Sequence, residues 1–201
     1  KSLLPIYCDG IVRASTGAIR QFNNFLTNLG VIETDGWDFD VGWVFPDSAM
    51  GKFRLDWRNT WVGSYKAFGA NGARQPRRPG LEVNDSAIPE WTSTAVLAWA
   101  LGSLDASWTA RHIDRLREAC PAGLPCSMPG VRNELGAVTY HDLQIAWRPT
   151  FMDGLRLSVG ANNLFGKEPP PCLTCSLNGY DASTYDIPGG GFWYLRADMK
   201  F

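Results

Sequence analysis

Phe192-Trp193-Tyr194-Leu195-Arg196-Ala197-Asp198-Met199-Lys200-Phe201 alternates without a break between two chemistries. Trp193, Leu195, Ala197, Met199 and Phe201 fall on one side, and Tyr194, Arg196, Asp198 and Lys200 on the other, because successive strand residues leave opposite faces. Six segments upstream repeat the pattern, with tryptophans near their ends and no helical stretch between them. That is how a transmembrane β-barrel is written.

Working back from that stretch, short and long connections take turns. Leu155 to Phe165 forms the preceding strand, and Gly166 to Gly191 the long loop between them. Tyr140 to Arg148 carries Leu143, Ile145 and Trp147 opposite Asp142, Gln144 and Arg148, and a short turn through Pro149 to Gly154 follows it. Leu104 to His112 and Trp91 to Leu101 are separated only by Gly102-Ser103, a tight hairpin signal. A strand over Phe53 to Tyr65 sets Phe53, Leu55, Trp57, Trp61 and Tyr65 against Arg54, Asp56, Arg58 and Lys66. Another over Gly36 to Phe45 sets Trp37, Phe39, Val41, Trp43 and Phe45 against Asp38, Asp40 and Gly42. The long loops, Gly69 to Glu90, Arg115 to Gly136 and Gly166 to Gly191, all fall at one end, the asymmetry of an outer-membrane barrel. Ile19 to Leu26 reads as a further loop or an incomplete hairpin.

The predicted fold class is therefore all-β: an antiparallel up-and-down transmembrane β-barrel segment of about seven strands. Segments of about 9–11 residues cross a bilayer at a tilt near 45°. The charged faces line a watery lumen or a plug. Asp38, Asp40, Asp56, Asp105, Asp142 and Asp198 alternate with Arg54, Arg58, Arg111, Arg148, Arg156 and Arg196, which favours lumen-side ion pairs over acid–base catalysis. Seven strands cannot close, and an open sheet in lipid leaves two rows of unpaired backbone groups, each costing several kcal/mol. Bacterial single-chain barrels also use even strand numbers. Nor does Lys1-Ser2-Leu3-Leu4-Pro5 carry a secretory signal. The expectation is a piece of a larger barrel, incomplete at its N-terminus.

Composition narrows the function. The formal net charge of −1 leaves no basic footprint for nucleic acid. Nine tryptophans exceed what a core of this size needs, whereas barrels place such rings at both membrane interfaces. The longest apolar run, Ala95 to Leu101, is far short of the ~20 residues of a spanning helix. His112 and His141 have no cysteine or carboxylate at ligand spacing and are placed near the interfaces. No catalytic residue, cofactor or metal is expected.

Five cysteines complete the inventory. Cys120 and Cys126 bracket one Pro-rich loop segment, and Cys172 and Cys175 bracket Leu173-Thr174. Each pair is a candidate local disulfide in an oxidising compartment. The alternatives are a zinc site, which needs four ligands, or a redox CxxC, which usually opens a helix that this chain lacks. Cys8 is left over, and its partner is expected upstream.

Three stretches resemble one family. Gly160-Ala161-Asn162-Asn163-Leu164-Phe165-Gly166-Lys167-Glu168-Pro169-Pro170 is similar to the NNLF-x-K-x-P segment of TonB-dependent outer-membrane receptors, and Tyr180-Asp181-Ala182-Ser183-Thr184-Tyr185-Asp186 to the Y-D-x-x-x-Y-D stretch after it. Asn28-Leu29-Gly30-Val31-Ile32-Glu33-Thr34-Asp35-Gly36-Trp37-Asp38 resembles the family's entry into a late strand, and Phe201 its C-terminal assembly signal. The chain departs at Gly189-Gly190-Gly191, where an arginine often stands. The resemblance implies the last seven strands of a barrel of about 22, with the plug and the TonB box absent from residues 1–201. It further implies an integral protein of the bacterial outer membrane that captures a scarce nutrient, such as a siderophore, vitamin or oligosaccharide, for TonB-energised uptake.

On that reading the partners are outer-membrane lipid and lipopolysaccharide, the missing strands and plug, the TonB complex through the missing segment, and a small-molecule ligand of unknown class. Arg74, Arg77 and Arg78 form a basic cluster that is solvated, meets lipopolysaccharide phosphate or contacts ligand. Tyr180, Tyr185 and Trp193 either stack on a ligand or pack within the loops and the interfacial girdle. The competing classes are a passive porin-like channel and a secreted soluble all-β binding domain.

Overall fold

The computed structural model describes residues 10–23, 30–69, 77–120, 123, 128–131, 133–175 and 179–200. Every regular element among them is a strand: β1 (Ile11–Arg13), β2 (Ile19–Phe22), β3 (Val31–Val44), β4 (Lys52–Phe68), β5 (Leu81–Glu82), β6 (Ala87–Ile88), β7 (Trp91–Leu101), β8 (Leu104–Ile113), β9 (Leu116–Glu118), β10 (Glu134–Leu135), β11 (Val138–Trp147), β12 (Leu155–Asn162) and β13 (Phe192–Met199). The chain divides into two units, residues 1–33 with 65–77, and residues 34–64 with 78–201. In the first, β1 and β2 pair as an antiparallel hairpin around Gly17.

Seven strands form one sheet in the order β13-β12-β11-β8-β7-β4-β3. Apart from the short strands inside the loops, sheet neighbours are chain neighbours, so the topology is an up-and-down meander. The sheet is not closed, and β3 and β13 are its edges. Strand β7, 11 residues long, stands about 26 Å tall at 3.4 Å per residue and a 45° tilt, close to the apolar band of about 25 Å in such barrels.

The strand registers keep the two chemistries in phase across the sheet. Leu55 faces Leu97, Leu97 faces Trp108, Trp108 faces Leu143, Leu143 faces Ala161 and Ala161 faces Trp193, one unbroken apolar row. On the reverse, Ala98 faces Ser107, Ser107 faces Gln144, Gln144 faces Gly160 and Gly160 faces Tyr194. Gly160 is required there: a Cβ would run into the Tyr194 ring, whose hydroxyl accepts from Gln144 Nε2 at 3.2 Å. Gly102, with φ 59°, occupies the first turn position between Leu101 and Leu104, where a type II′ hairpin puts glycine.

The apolar face is not a core. Trp37 and Leu195 are each 81% exposed, and Trp43, Trp57 and Trp147 are also open, more apolar surface than a soluble monomer tolerates in one patch. The packed core lies at the loop end instead, where Leu116, Leu135, Cys172, Tyr180 and Tyr185 meet Val138 and Tyr140 at the start of β11.

Several boundaries differ from the sequence expectation. Strand β3 starts at Val31 and not Gly36, and β4 runs on to Phe68. Strand β12 stops at Asn162 because Asn163 turns to φ 50°, where a strand cannot continue. Strand β13 is described to Met199, and Phe201 lies outside the described residues. The stretch expected to be a loop or an incomplete hairpin supplies β2. The long loops carry a second sheet of order β10-β9-β5-β6, with β5 and β9 parallel.

Candidate functional site: the outer loop cluster

All three long loops leave the same end of the sheet, so residues distant in sequence converge there. Glu118, on β9 of the middle loop and 3% exposed, accepts hydrogen bonds from the Leu173 and Thr174 amides at 2.9 and 2.8 Å. Those amides lie between Cys172 and Cys175, which are joined by a disulfide. One carboxylate thus ties the middle loop to a covalently closed turn in the last.

A second tie joins the first loop to the last. Strands β5 and β6 are linked by a turn in which Asn84 and Asp85 take φ 50° and 61°, the left-handed region these residue types tolerate. Glu82 Oε1 accepts from the Ser86 amide at 3.1 Å and closes that turn. The Glu82 carboxyl and that of Asp181 have no solvent exposure and adjoin each other. Burial, and then the neighbouring Asp181, push Glu82 up to about 7. Burial alone would raise Asp181 too, but the Ser183 and Thr184 hydroxyls, the Ser183 amide and Glu82 outweigh it and hold Asp181 below its usual range. The two shifts run in opposite directions, Glu82 toward the protonated form and Asp181 toward the charged one. Tyr185 is pushed up by burial first and then by Glu82, Tyr140 and Asp181.

The third tie runs from the wall of the sheet. Arg111 on β8 points from the polar face, with Nε 3.0 Å from Asp142 Oδ2 and Nη2 2.6 Å from Asp186 Oδ2 in the last loop. Its guanidinium sits 5.1 Å from the centre of the Tyr140 ring, and the Tyr140 hydroxyl accepts from the Asp186 amide at 3.3 Å. Asp142 Oδ1 also accepts from the Asn163 amide at 2.8 Å. The Asn163 side chain, 4% exposed, donates to Lys167 O at 2.9 Å and accepts from Lys167 N at 2.8 Å. A cavity of about 580 Å³ opens beside this tie, bounded by Arg111, Asn163, Tyr185, Asp186, Gly190 and Phe192. Another, of about 380 Å³, lies at the short-turn end of the polar face, among Lys52, Arg54, Asp105, Gln144, Arg148 and Arg156.

The sequence-derived candidates fall as follows. Tyr180 and Tyr185 are 6% and 4% exposed, inside the loop core. Arg78 Nη2 donates to Ser86 O at 2.7 Å, within the first loop; Arg77 is also described, and Arg74 lies outside the described residues. Cys120 is disulfide-bonded, while Cys126 and Cys8 lie outside the described residues. Trp193 is exposed on the apolar face. On that same face His112 packs at a tilt against Trp91, and His141 stacks on Trp108. Ion pairs on the polar face include Arg54 with Asp56, Arg148 with Asp105 and Arg196 with Asp198. Among the described residues no group of three or more His, Cys, Asp or Glu is placed to hold a metal.

Sequence reasoning missed Glu82, Glu118 and Asp186. The faint signal was an acid set between apolar neighbours, as in Leu81-Glu82-Val83, which is unusual for a solvated loop.

Comparison with known proteins decides the family. Residues 7–164 match the model of the family described as TonB dependent receptor-like, beta-barrel. The chain belongs to that family. The chain is similar in fold to the FrpB iron transporter from Neisseria meningitidis, with TM-score 0.55, 17% identity, and coverage of 96% of this chain and 26% of that one. It is likewise similar to the ferric-catecholate import receptor Fiu from E. coli, with TM-score 0.52, 16% identity, and coverage of 95% and 23%. A mutant of the ferric enterobactin receptor PfeA from Pseudomonas aeruginosa gives TM-score 0.51, 15% identity, and coverage of 84% and 22%. The TonB-dependent receptor-like chain spans about a quarter of the length of these structures. A comparison with curated proteins finds no match.

Proposed function

We propose that these residues are the C-terminal strands of the barrel of a bacterial outer-membrane receptor, which captures a scarce nutrient at its outer loops and takes it up with energy from the TonB complex. The reading is carried by the two-faced meander with all its long loops at one end, in a chain of the receptor-barrel family. In this arrangement the apolar face meets lipid and, near the loops, lipopolysaccharide. The polar face, with its arginine–aspartate pairs, meets a plug and a watery lumen. The open edges β3 and β13 take further strands of the same barrel. The TonB contact and the plug belong to other parts of the receptor. The cavity beside Arg111 forms part of the ligand-facing surface.

Ferric siderophores are the first cargo to test, since the similar structures carry the names of an iron transporter, a ferric-catecholate receptor and a ferric enterobactin receptor; vitamins and oligosaccharides follow. The experiment is membrane fractionation followed by nutrient-limited growth of cells with and without the gene, in the presence and absence of a working TonB complex. The expected result is a protein in the outer-membrane fraction and a growth advantage that vanishes without TonB. A soluble protein, or uptake indifferent to TonB, refutes the proposal.

A further inference from the structure

The ties through Glu118 and Arg111 pair carboxylates with donors, but the tie through Glu82 and Asp181 does not. Two carboxyl groups with no solvent exposure face each other across two loops, and Glu82 Oε2 and Asp181 Oδ2 receive no N–H or hydroxyl donor. Two buried anions cannot share such a place, because desolvation and mutual repulsion act together. What fills the gap is a proton or a cation. A hard divalent cation needs six or more oxygen ligands, and the surroundings offer few. The other Glu82 oxygen is engaged by the Ser86 amide, and Asp181 Oδ1 by the Ser183 amide and hydroxyl. Glu118, beside Glu82 in the β5–β9 register, is committed to Leu173 and Thr174. The Tyr185 hydroxyl is buried without a partner. A single shared proton satisfies the pair with no further ligand.

We propose that the Glu82–Asp181 pair is a proton-operated latch that pins the β5–β6 hairpin of the first outer loop to the last outer loop, closing when one proton is shared and releasing when that proton leaves. The latch operates whatever cargo the barrel carries. The groups facing it are Asp85 and Ser86 on its own hairpin, Glu118 on β9, Tyr140 on β11, and Ser183, Thr184 and Tyr185 in the last loop. The cation on that hairpin, Arg78, donates to Ser86 O and Oγ, and Arg111, over the Tyr140 ring, is held by Asp142 and Asp186, so both are already engaged when Glu82 loses its proton. The sign follows from Glu82 standing near 7 when closed and at 4.5 when solvated. Closure is fully favoured near the lower value and is lost as pH rises through the upper one. The open-to-closed ratio therefore rises with pH across that interval. Below the range in which Asp181 ionises, the second carboxylate is protonated as well and the charge-assisted bond is lost, so the latch is tightest in mildly acid solution.

The test is hydrogen–deuterium exchange of the full protein in outer-membrane vesicles, corrected for intrinsic rates and followed from mildly acid to mildly alkaline pH. The expected result is that protection of residues 81–88 and 180–186 is lost together as pH rises, reaching a plateau just above neutrality. Glu82→Gln, which stays neutral and can donate to Asp181, keeps both segments protected throughout. Infrared difference spectra supply a second readout that does not depend on loop mobility: a protonated-carboxyl carbonyl band that titrates near neutral pH and is missing in Glu82→Gln. Protection that is flat with pH, an identical pH profile in Glu82→Gln, or the absence of that band overturns the latch. Protection abolished by a chelator at acid pH and restored by calcium at alkaline pH also overturns it, in favour of a cation.

Discussion

Leu97→Arg puts the two-faced sheet at risk in a single substitution. Leu97 lies opposite Leu55 and Trp108 on the apolar face. Four residues separate it from the Leu101 end of β7 and six from the Trp91 end. At 3.4 Å per residue and a 45° tilt, it stands about 10 Å from one margin of the apolar band and about 14 Å from the other. An arginine near the middle of the lipid face costs about 2–4 kcal/mol, falling to about 0–1 kcal/mol near an interface. The adjacent Ala98 faces the opposite side and borders the cavity that holds Asp105, so Ala98→Arg meets water and a carboxylate and should cost less than about 1 kcal/mol. Leu101→Arg, on the Leu97 face but at the rim, belongs with the small values. Urea-driven unfolding of the protein in lipid vesicles measures all three. If Ala98→Arg costs as much as Leu97→Arg, or if Leu97→Arg is no worse than Leu101→Arg, then neither the assignment of faces nor the depth argument stands.

Two further outcomes follow from the loop ties. Arg111→Gln leaves Asp142 and Asp186 without their shared cation; for a half-buried, charge-assisted pair the loss should be about 1.5–3 kcal/mol, read as faster exchange of the Asp186–Gly191 amides, and unchanged exchange would remove Arg111 as the anchor. Asn163→Ala forfeits both side-chain bonds to Lys167 and leaves at φ 50° a residue less tolerant of the left-handed region than asparagine, at a cost of about 1–3 kcal/mol; Asn163→Gly relieves the backbone part, so an alanine variant as stable as the glycine one would contradict this account.

The strands were legible because period-2 alternation is a local signal with a strong physical cause. Strand β7 and its Gly102-Ser103 turn are found where the pattern puts them. The start of β3 was missed because Ile32-Glu33-Thr34-Asp35 does not alternate cleanly between apolar and polar residues. Strands β5, β6, β9 and β10 escaped for another reason: with two or three residues each, they are too short to show any period. The loop cluster was the least legible part. Its bonds join residues far apart in the chain, such as Glu118 with Leu173 and Arg111 with Asp186, and only the folded sheet brings those loops to one end. The Y-D-x-x-x-Y-D stretch was visible as a motif. Its local role, with both tyrosines buried and Asp181 and Asp186 each tied to a different partner, was not.

The three ties also constrain how such a sequence can change over time. Glu82, Glu118 and Asp186 each hold a group contributed by another segment, so replacing one strands its partner, and recovery must come from a second site far away in the gene. Variation in the three outer loops should therefore occur in step at these positions. Outward residues such as Met128, Leu173 and Ile187, at 57%, 52% and 78% exposure, are free to differ independently, and a surface under pressure from phage or antibodies would accumulate its differences there.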